Sequence, residues 1–408
     1  MASIRELLAA NRDFRRLFIA TAISLAGDWF SFVAVADLVI QLTGRPGSAA
    51  FVYAATVLPV FLASPLAGAV ADRYDRKRVV VIADLARVPL ALLLCVAAWA
   101  GSVALAIGAI IAIGVGASVY GPAASAAMPN LVDARDLPRV QSAMAALWGS
   151  MLLVGASIGG IFADVLGMQA AFVINALTFA VSAWLLRGIE RPLQLQRPVQ
   201  GARIRVRDAI HYIRGDKVVR RLVLAKIGGS FASGTVGLLP AVAVARISGS
   251  SIAIGLLIGA RGIGAILGPL FARRITGAVS STTRTLIAFS GAATMIYCVA
   301  YAVLPISQVL AIAVLLVIVA SLTGTAQWTL STYGLMVTTP DHLRGRVMAI
   351  DYALATLAIG VSSITAGFLA NAYDEATAIW WLVGVGAAYQ IVWLVWGLLI
   401  PGEPLRER

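Results

Sequence analysis

Charge is scarce in this chain. Asp, Glu, Lys and Arg supply 12% of its 408 residues, about half the roughly 25% of an average soluble protein. That shortage excludes an ordinary soluble domain. Cysteine is scarcer still. Cys95 and Cys298 each lie in an apolar stretch, where a free thiol packs as a small hydrophobe. They form neither a disulfide framework nor a metal site. The two histidines, His211 and His342, stand far apart in polar segments, and no His-Glu-x-x-His occurs. A P-loop lysine motif is also missing, so an ATP-driven pump would need a separate subunit. No enzyme, metal or cofactor is expected. The period-two alternation of a membrane β-barrel is absent too.

Apolar length is abundant: the chain is 60% hydrophobic. A helix needs roughly 20 apolar residues to cross a bilayer. Twelve stretches qualify, at about 16–42, 50–71, 79–100, 103–127, 140–163, 169–187, 219–245, 251–272, 284–304, 307–332, 347–371 and 376–399. Open sheets cannot satisfy their backbone groups in lipid, so the expected class is an all-α membrane protein. Residues 1–16 are polar and basic, and no secretory leader is expected there.

The net charge of +13 would suggest nucleic acid in a soluble protein, but here its placement explains it. Of 32 Lys and Arg, only Arg45 and Arg246 fall in the loops assigned outside. The rest concentrate on the other face, so the positive-inside rule puts both termini and the 188–218 linker in the cytoplasm. No nucleic-acid partner is expected. Within the linker, Ile204, Ile210 and Ile213 stand among Arg203, Arg205, Arg207 and Arg214. That pattern suits either a short helix on anionic lipid or a merely solvated basic segment.

The halves echo each other at an offset near 205 residues. Arg15-Arg16-Leu17 answers Arg220-Arg221-Leu222, Ser64-Pro65-Leu66 answers Gly268-Pro269-Leu270, and Arg139-Val140 answers Arg346-Val347. The division expected is 1–187, a linker at 188–218, and 219–408. Gly155, Gly159 and Gly160 in the fifth stretch, and Gly255, Gly259, Gly262, Gly264 and Gly268 in the eighth, allow close helix contact. Such contacts serve static packing or sliding equally well.

Ionisable groups at membrane depth are costly and are functional candidates by default. Asp28 lies twelve residues after Arg16, and Arg261 twelve before Arg273. At about 1.5 Å per residue both reach mid-bilayer. They are therefore expected to pair across a central cavity, as a coupling site or as a permanent structural bridge. Asp37 is a second candidate proton site nearer the outer face. Asp84 and Arg87, one turn apart, are expected to pair locally. Lys226, five residues past Arg221, is expected to snorkel to the interface.

Between the second and third stretches lies Gly68-Ala69-Val70-Ala71-Asp72-Arg73-Tyr74-Asp75-Arg76-Lys77-Arg78. It resembles the loop between helices two and three of major facilitator transporters, roughly G-x-x-x-D-R-x-G-R-R, with Asp75 at the second glycine. Pro129-Asn130, Leu137-Pro138-Arg139 and Asn175-Ala176-Leu177-Thr178-Phe179 are similar to the drug, macrolide and siderophore exporters of that family. The resemblance implies twelve helices in two six-helix pseudo-repeats. It implies export of an amphipathic organic compound by alternating access, driven by protons. It places Trp29, Phe32, Tyr53, Tyr120, Gln327, Trp328 and Tyr333 around the cavity. It also makes Gly68, Asp72, Arg73, Arg76, Asp84, Arg87, Arg344, Arg346 and Asp351 a cytoplasmic gate. A monomer in the inner membrane, in contact with lipid, is the family expectation. Two departures stand out: Ala156 replaces the usual proline of the exporters' fifth helix, and no arginine lies between Ser102 and Met128. Import, lysolipid transport and a non-transporting receptor or scaffold are the alternatives.

Overall fold

The computed structural model describes residues 4–133, 136–194, 206–247, 249–278 and 282–399. It is helical almost throughout. Among the described residues, twelve helices are long and apolar enough to cross a membrane. We label them α1 (Arg12–Thr43), α2 (Ala49–Arg73), α3 (Arg76–Trp99), α4 (Val103–Leu131), α5 (Leu137–Leu166) and α6 (Met168–Arg187). The second set is α7 (Lys217–Ile247), α8 (Ser251–Ala278), α9 (Thr283–Val303), α10 (Leu310–Thr338), α11 (Asp341–Ala372) and α12 (Glu375–Leu398). The chain is a multi-pass membrane protein.

Local chemistry sets the helix ends. Asn11 caps α1 by accepting from the Phe14 amide at 3.0 Å, Asp75 caps α3 through Arg78, and Ser102 caps α4 through Leu105. Gly44, Gly101, Gly167 and Gly249 have positive φ and make four tight turns between successive spans. All four turns lie on the face opposite the termini.

Packing repeats with the sequence. Within the first set α1 packs on α5 and α6, α2 on α4, and α3 on α4 and α6. In the second set α7 packs on α11 and α12, α8 on α10, and α9 on α10 and α12. These are the same pairings shifted by six helices, as two parallel repeats require. The sets meet mainly through α5 with α8 and α2 with α11.

Glycine makes the α5–α8 contact possible. A Cβ on Gly160 would lie 2.5 Å from the Ser251 carbonyl oxygen, and one on Gly262 2.4 Å from that of Gly149. On the face opposite the termini the halves are closed together. Ser251 donates to Asp37 at 2.7 Å, Phe51 packs edge-on against Phe368 at 5.2 Å, and Gly47 abuts Ala370. Arg246, an exception to the charge rule, is neutralised there by Glu375 at 2.5 Å.

Three expectations change. The seventh stretch is not one regular helix: α-helical turns at Ile227–Ala232 pass into a 3-10 segment, Ser233–Leu238, and later a π turn. Gly228, Gly234 and Gly237 approach Gly386, Ser362 and Ala50 too closely for a side chain. The linker helix, Val206–Gly215, docks on the second half, with Ala209 buried and Tyr212 donating to the Thr338 carbonyl at 3.2 Å. Trp393 lies near the end of the twelfth stretch, where the aromatic-belt rule expects an interfacial ring, but it is buried and donates to the Arg221 carbonyl at 2.9 Å.

Gly255→Val should strike the Ala156 carbonyl oxygen, which lies 2.5 Å from where the new Cβ would sit. Overpacking of that kind costs about 1–3 kcal/mol. Thermal unfolding of the detergent-extracted protein should show a lower transition, whereas Gly108→Val, with open space around it, should leave it unchanged. Equal transitions would remove the close-contact account.

Candidate functional site

Asp28 does not pair with Arg261. Its partner is Arg87 on α3, at 3.4 Å. Equal depth fixed only the height of Asp28, while each residue turns a helix by about 100°. Asp28 therefore faces α3, and its neighbour Trp29 is the residue that faces Arg261.

Arg87 is held between two acids. It pairs with Asp84 one turn back, as expected from the spacing, and Ser182 on α6 donates to the other Asp84 oxygen at 2.5 Å. The guanidinium lies 4.3 Å from the Phe179 ring and 5.3 Å from that of Tyr120. Gly116 makes room for its stem: a Cβ there would sit 2.9 Å from Arg87 Cγ. Asp84 and Arg87 are 0% and 2% exposed, but Asp28 is 27% exposed. Two carboxylates share one cation, and only the outer one reaches open space. Asp84 and Arg87 were assigned to the gate; their burial beneath Asp28 places them in this interior cluster instead.

A second cation cluster joins α7 to α11. Lys226 pairs with Asp351 and bonds Thr332 at 2.9 Å, with the Trp328 ring 4.6 Å away. Both charged residues are 2% exposed, so Lys226 does not snorkel. Counting from Arg221 suggested an interfacial position; counted from the helix starts, Lys226 is nine residues into α7 and Asp351 ten into α11.

The third group surrounds Arg261. Its guanidinium lies 5.9 Å from the Trp29 ring and 5.7 Å from that of Tyr53. Trp29 continues into Phe32 at 5.7 Å and Trp148 at 6.0 Å. Trp148, Tyr297 and Tyr301 were not anticipated. Of the expected cavity wall, Trp29, Tyr53, Tyr120 and Trp328 stand at these clusters. Tyr120 also bonds Thr21 at 3.0 Å, and Gln327 is buried, donating to the Ala225 carbonyl at 3.1 Å. Phe32 and Tyr53 are buried, and Tyr333 is exposed.

The expected gate is only partly drawn together. Asp351 is taken by Lys226 rather than by the loop between α2 and α3. Arg76 donates within its own half, to the carbonyls of Ala126 at 2.7 Å and Leu193 at 3.4 Å. Arg73 lies over Tyr74, Arg344 donates to the Thr339 carbonyl at 3.3 Å, and Arg346 is exposed. The expected contacts of Gly68 and Asp72 fall outside the described side chains. No group of three or more metal-ligating residues occurs among the described residues.

The profile of the transmembrane secretion effectors matches residues 8–398. The chain belongs to this family of major facilitator transporters. Among curated relatives, the multidrug efflux pump Tap of Mycobacterium tuberculosis is 29% identical over 388 residues, covering 87% of this chain and 86% of that protein. The lysophospholipid transporter LplT of Pectobacterium carotovorum is 28% identical over 197 residues, 47% of each. Among solved structures, an auto-inhibited peptide transporter of the POT family superposes with a TM-score of 0.70 at 13% identity, covering 96% of this chain and all of that one. That likeness concerns the fold alone. This secretion effector is a transporter and not an enzyme.

Lys226→Met should strand Asp351 as a buried charge, at a cost of about 3–5 kcal/mol. The double variant Lys226→Met, Asp351→Leu should recover most of that loss in thermal unfolding. A double variant as unstable as the single one would show that the pair is not what holds α7 to α11.

Proposed function

We propose that this chain exports small amphipathic organic compounds across the cytoplasmic membrane, driven by the proton gradient and acting as a monomer without a cofactor. The basic face carrying the termini and the linker is cytoplasmic, in keeping with the positive-inside rule. The twelve-helix fold supports alternating access. So do the close glycine contacts of α5 with α8, along which one half can rock against the other. In the described conformation the halves touch on the face opposite the termini. The efflux named for the Tap relatives supports the direction and the substrate class.

One observation carries proton coupling: Asp28 is the partly exposed member of a triad in which two acids share Arg87. A proton on Asp28 removes its hold on Arg87 and leaves Arg87 with Asp84 alone. Loss of the proton restores the link from α1 to α3. Protonation thus changes how two helices of the first half are tied together, through an acid that is partly exposed. Asp37, bonded to Ser251 across the halves, acts as a contact of the closed outer face. The LplT relative favours one second reading, transport of a lysolipid through the same cavity.

Cells lacking their main efflux pumps should accumulate less of a fluorescent amphipathic dye when they express the wild type. A protonophore should abolish the difference. Asp28→Asn, at matched membrane levels, should return accumulation to that of empty vector. Unchanged export by Asp28→Asn would remove the coupling role. Export of no member of a cationic, neutral and anionic dye panel would remove the efflux reading.

A further inference from the structure

The Arg261 group lacks something its neighbours have. Arg87 has Asp28 and Asp84, Lys226 has Asp351, and Arg246 has Glu375. Among the described residues, no carboxylate lies within 4.0 Å of Arg261. Its Nη1 is buried with no hydrogen-bond partner. Tyr301, a residue 1% exposed, lies beside it. Tyr301 packs on Tyr297 at 4.8 Å between ring centroids, and both tyrosines act electrostatically on Arg261.

An unpaired guanidinium at membrane depth is costly. The rings of Trp29 and Tyr53 offset part of that cost through cation–π attraction. Apart from the Tyr53 hydroxyl, they supply no acceptor for its N–H groups, whose planar fork fits a carboxylate or phosphate. The Tyr301 hydroxyl, which also has Ser321 and Tyr297 for neighbours, adds a further donor beside it. The aromatic wall runs from Arg261 through Trp29 to Trp148, which is 39% exposed. It can seat an apolar body next to an anionic head.

We infer that Arg261, with Tyr301 beside it, is an anion subsite, and that this transporter takes amphipathic compounds bearing a carboxylate or phosphate. The inference deepens the export reading, on which it rests, by naming the chemistry of its substrate. Arg261 sits on α8, Trp29 and Tyr53 on α1 and α2, and Tyr297 and Tyr301 on α9. A bound anion therefore links both halves of the molecule and neutralises the cation that the bundle leaves unpaired.

Binding tests this without any need for transport. The full chain in nanodiscs is titrated with dansylglycine, dansylcadaverine and dansyl amide, which share one fluorophore and differ in charge. Energy transfer from protein tryptophan reports occupancy. Wild type should bind the anion at least about tenfold more tightly than the cation or the neutral probe, as expected when a buried charged donor meets its acceptor. Arg261→Gln should erase that preference, Arg261→Lys should keep part of it, and Tyr301→Phe should weaken it. Displacement of dansylglycine by decanoate assigns the site to a soluble amphipathic acid, and displacement by lysophosphatidate to a lipid headgroup. Either supports the subsite. Equal affinities for the three probes, no detectable anion binding, or a preference that survives Arg261→Gln would each overturn it. Anion binding without cellular export would remove the export reading alone. Export with no charge preference in binding would remove the subsite alone.

Discussion

A charge carried into hydrocarbon must meet its counter-charge inside the bundle, because lipid offers neither hydration nor hydrogen bonds. In this molecule that constraint fixes which helices touch. Arg87 draws α3 to α1 through Asp28, while Ser182 ties the same cluster to α6. Lys226 does the equivalent for α7 and α11. Arg246 and Glu375 repeat it at the opposite face. Arg261 is met by aromatic rings, and a solution that relies on polarisable faces rather than a fixed acid leaves room for an acid brought by a ligand.

Close backbone contact is the second organising element. α5 and α8 meet through Gly160, Gly255 and Gly262, where a single methyl would collide with backbone atoms, while the Ile266 side chain packs on Gly149 and that of Ser157 on Gly259. Where backbone meets backbone, few interlocking side chains resist sliding, and van der Waals contact holds the helices in place. α7 takes this further. Its glycines let three neighbours approach, and the helix departs from regular α geometry through Ser233–Leu238. The irregular stretch is tolerated because Val236, Leu238 and Leu239 are buried in protein rather than exposed to lipid.

Much of the fold was legible because bilayer thickness is a length requirement, and apolar length can be read directly from the chain. All twelve stretches became spanning helices, and the offset between the halves reappears as packing pairs shifted by six helices. The Asp84–Arg87 pair was legible because both lie on one helix face at fixed spacing. The partner of Asp28 was not, since it lies fifty-nine residues away on another helix. Lys226 was misread for a related reason: distance from the helix end suggested an interfacial head, and nothing local reveals an acid waiting on α11.

The sequence by itself determined that this is a twelve-span membrane transporter with a basic face, and it put Asp28 and Arg261 at membrane depth. Those properties follow from one-dimensional quantities: apolar length, charge placement and residue count along a helix. Only the tertiary structure decided which charges meet, because pairing depends on the rotation of each helix about its axis and on its neighbours. Asp28 and Trp29 are adjacent in sequence, yet one faces Arg87 and the other Arg261. That single turn of about 100° separates an acid committed to one half of the molecule from an aromatic wall shared by both.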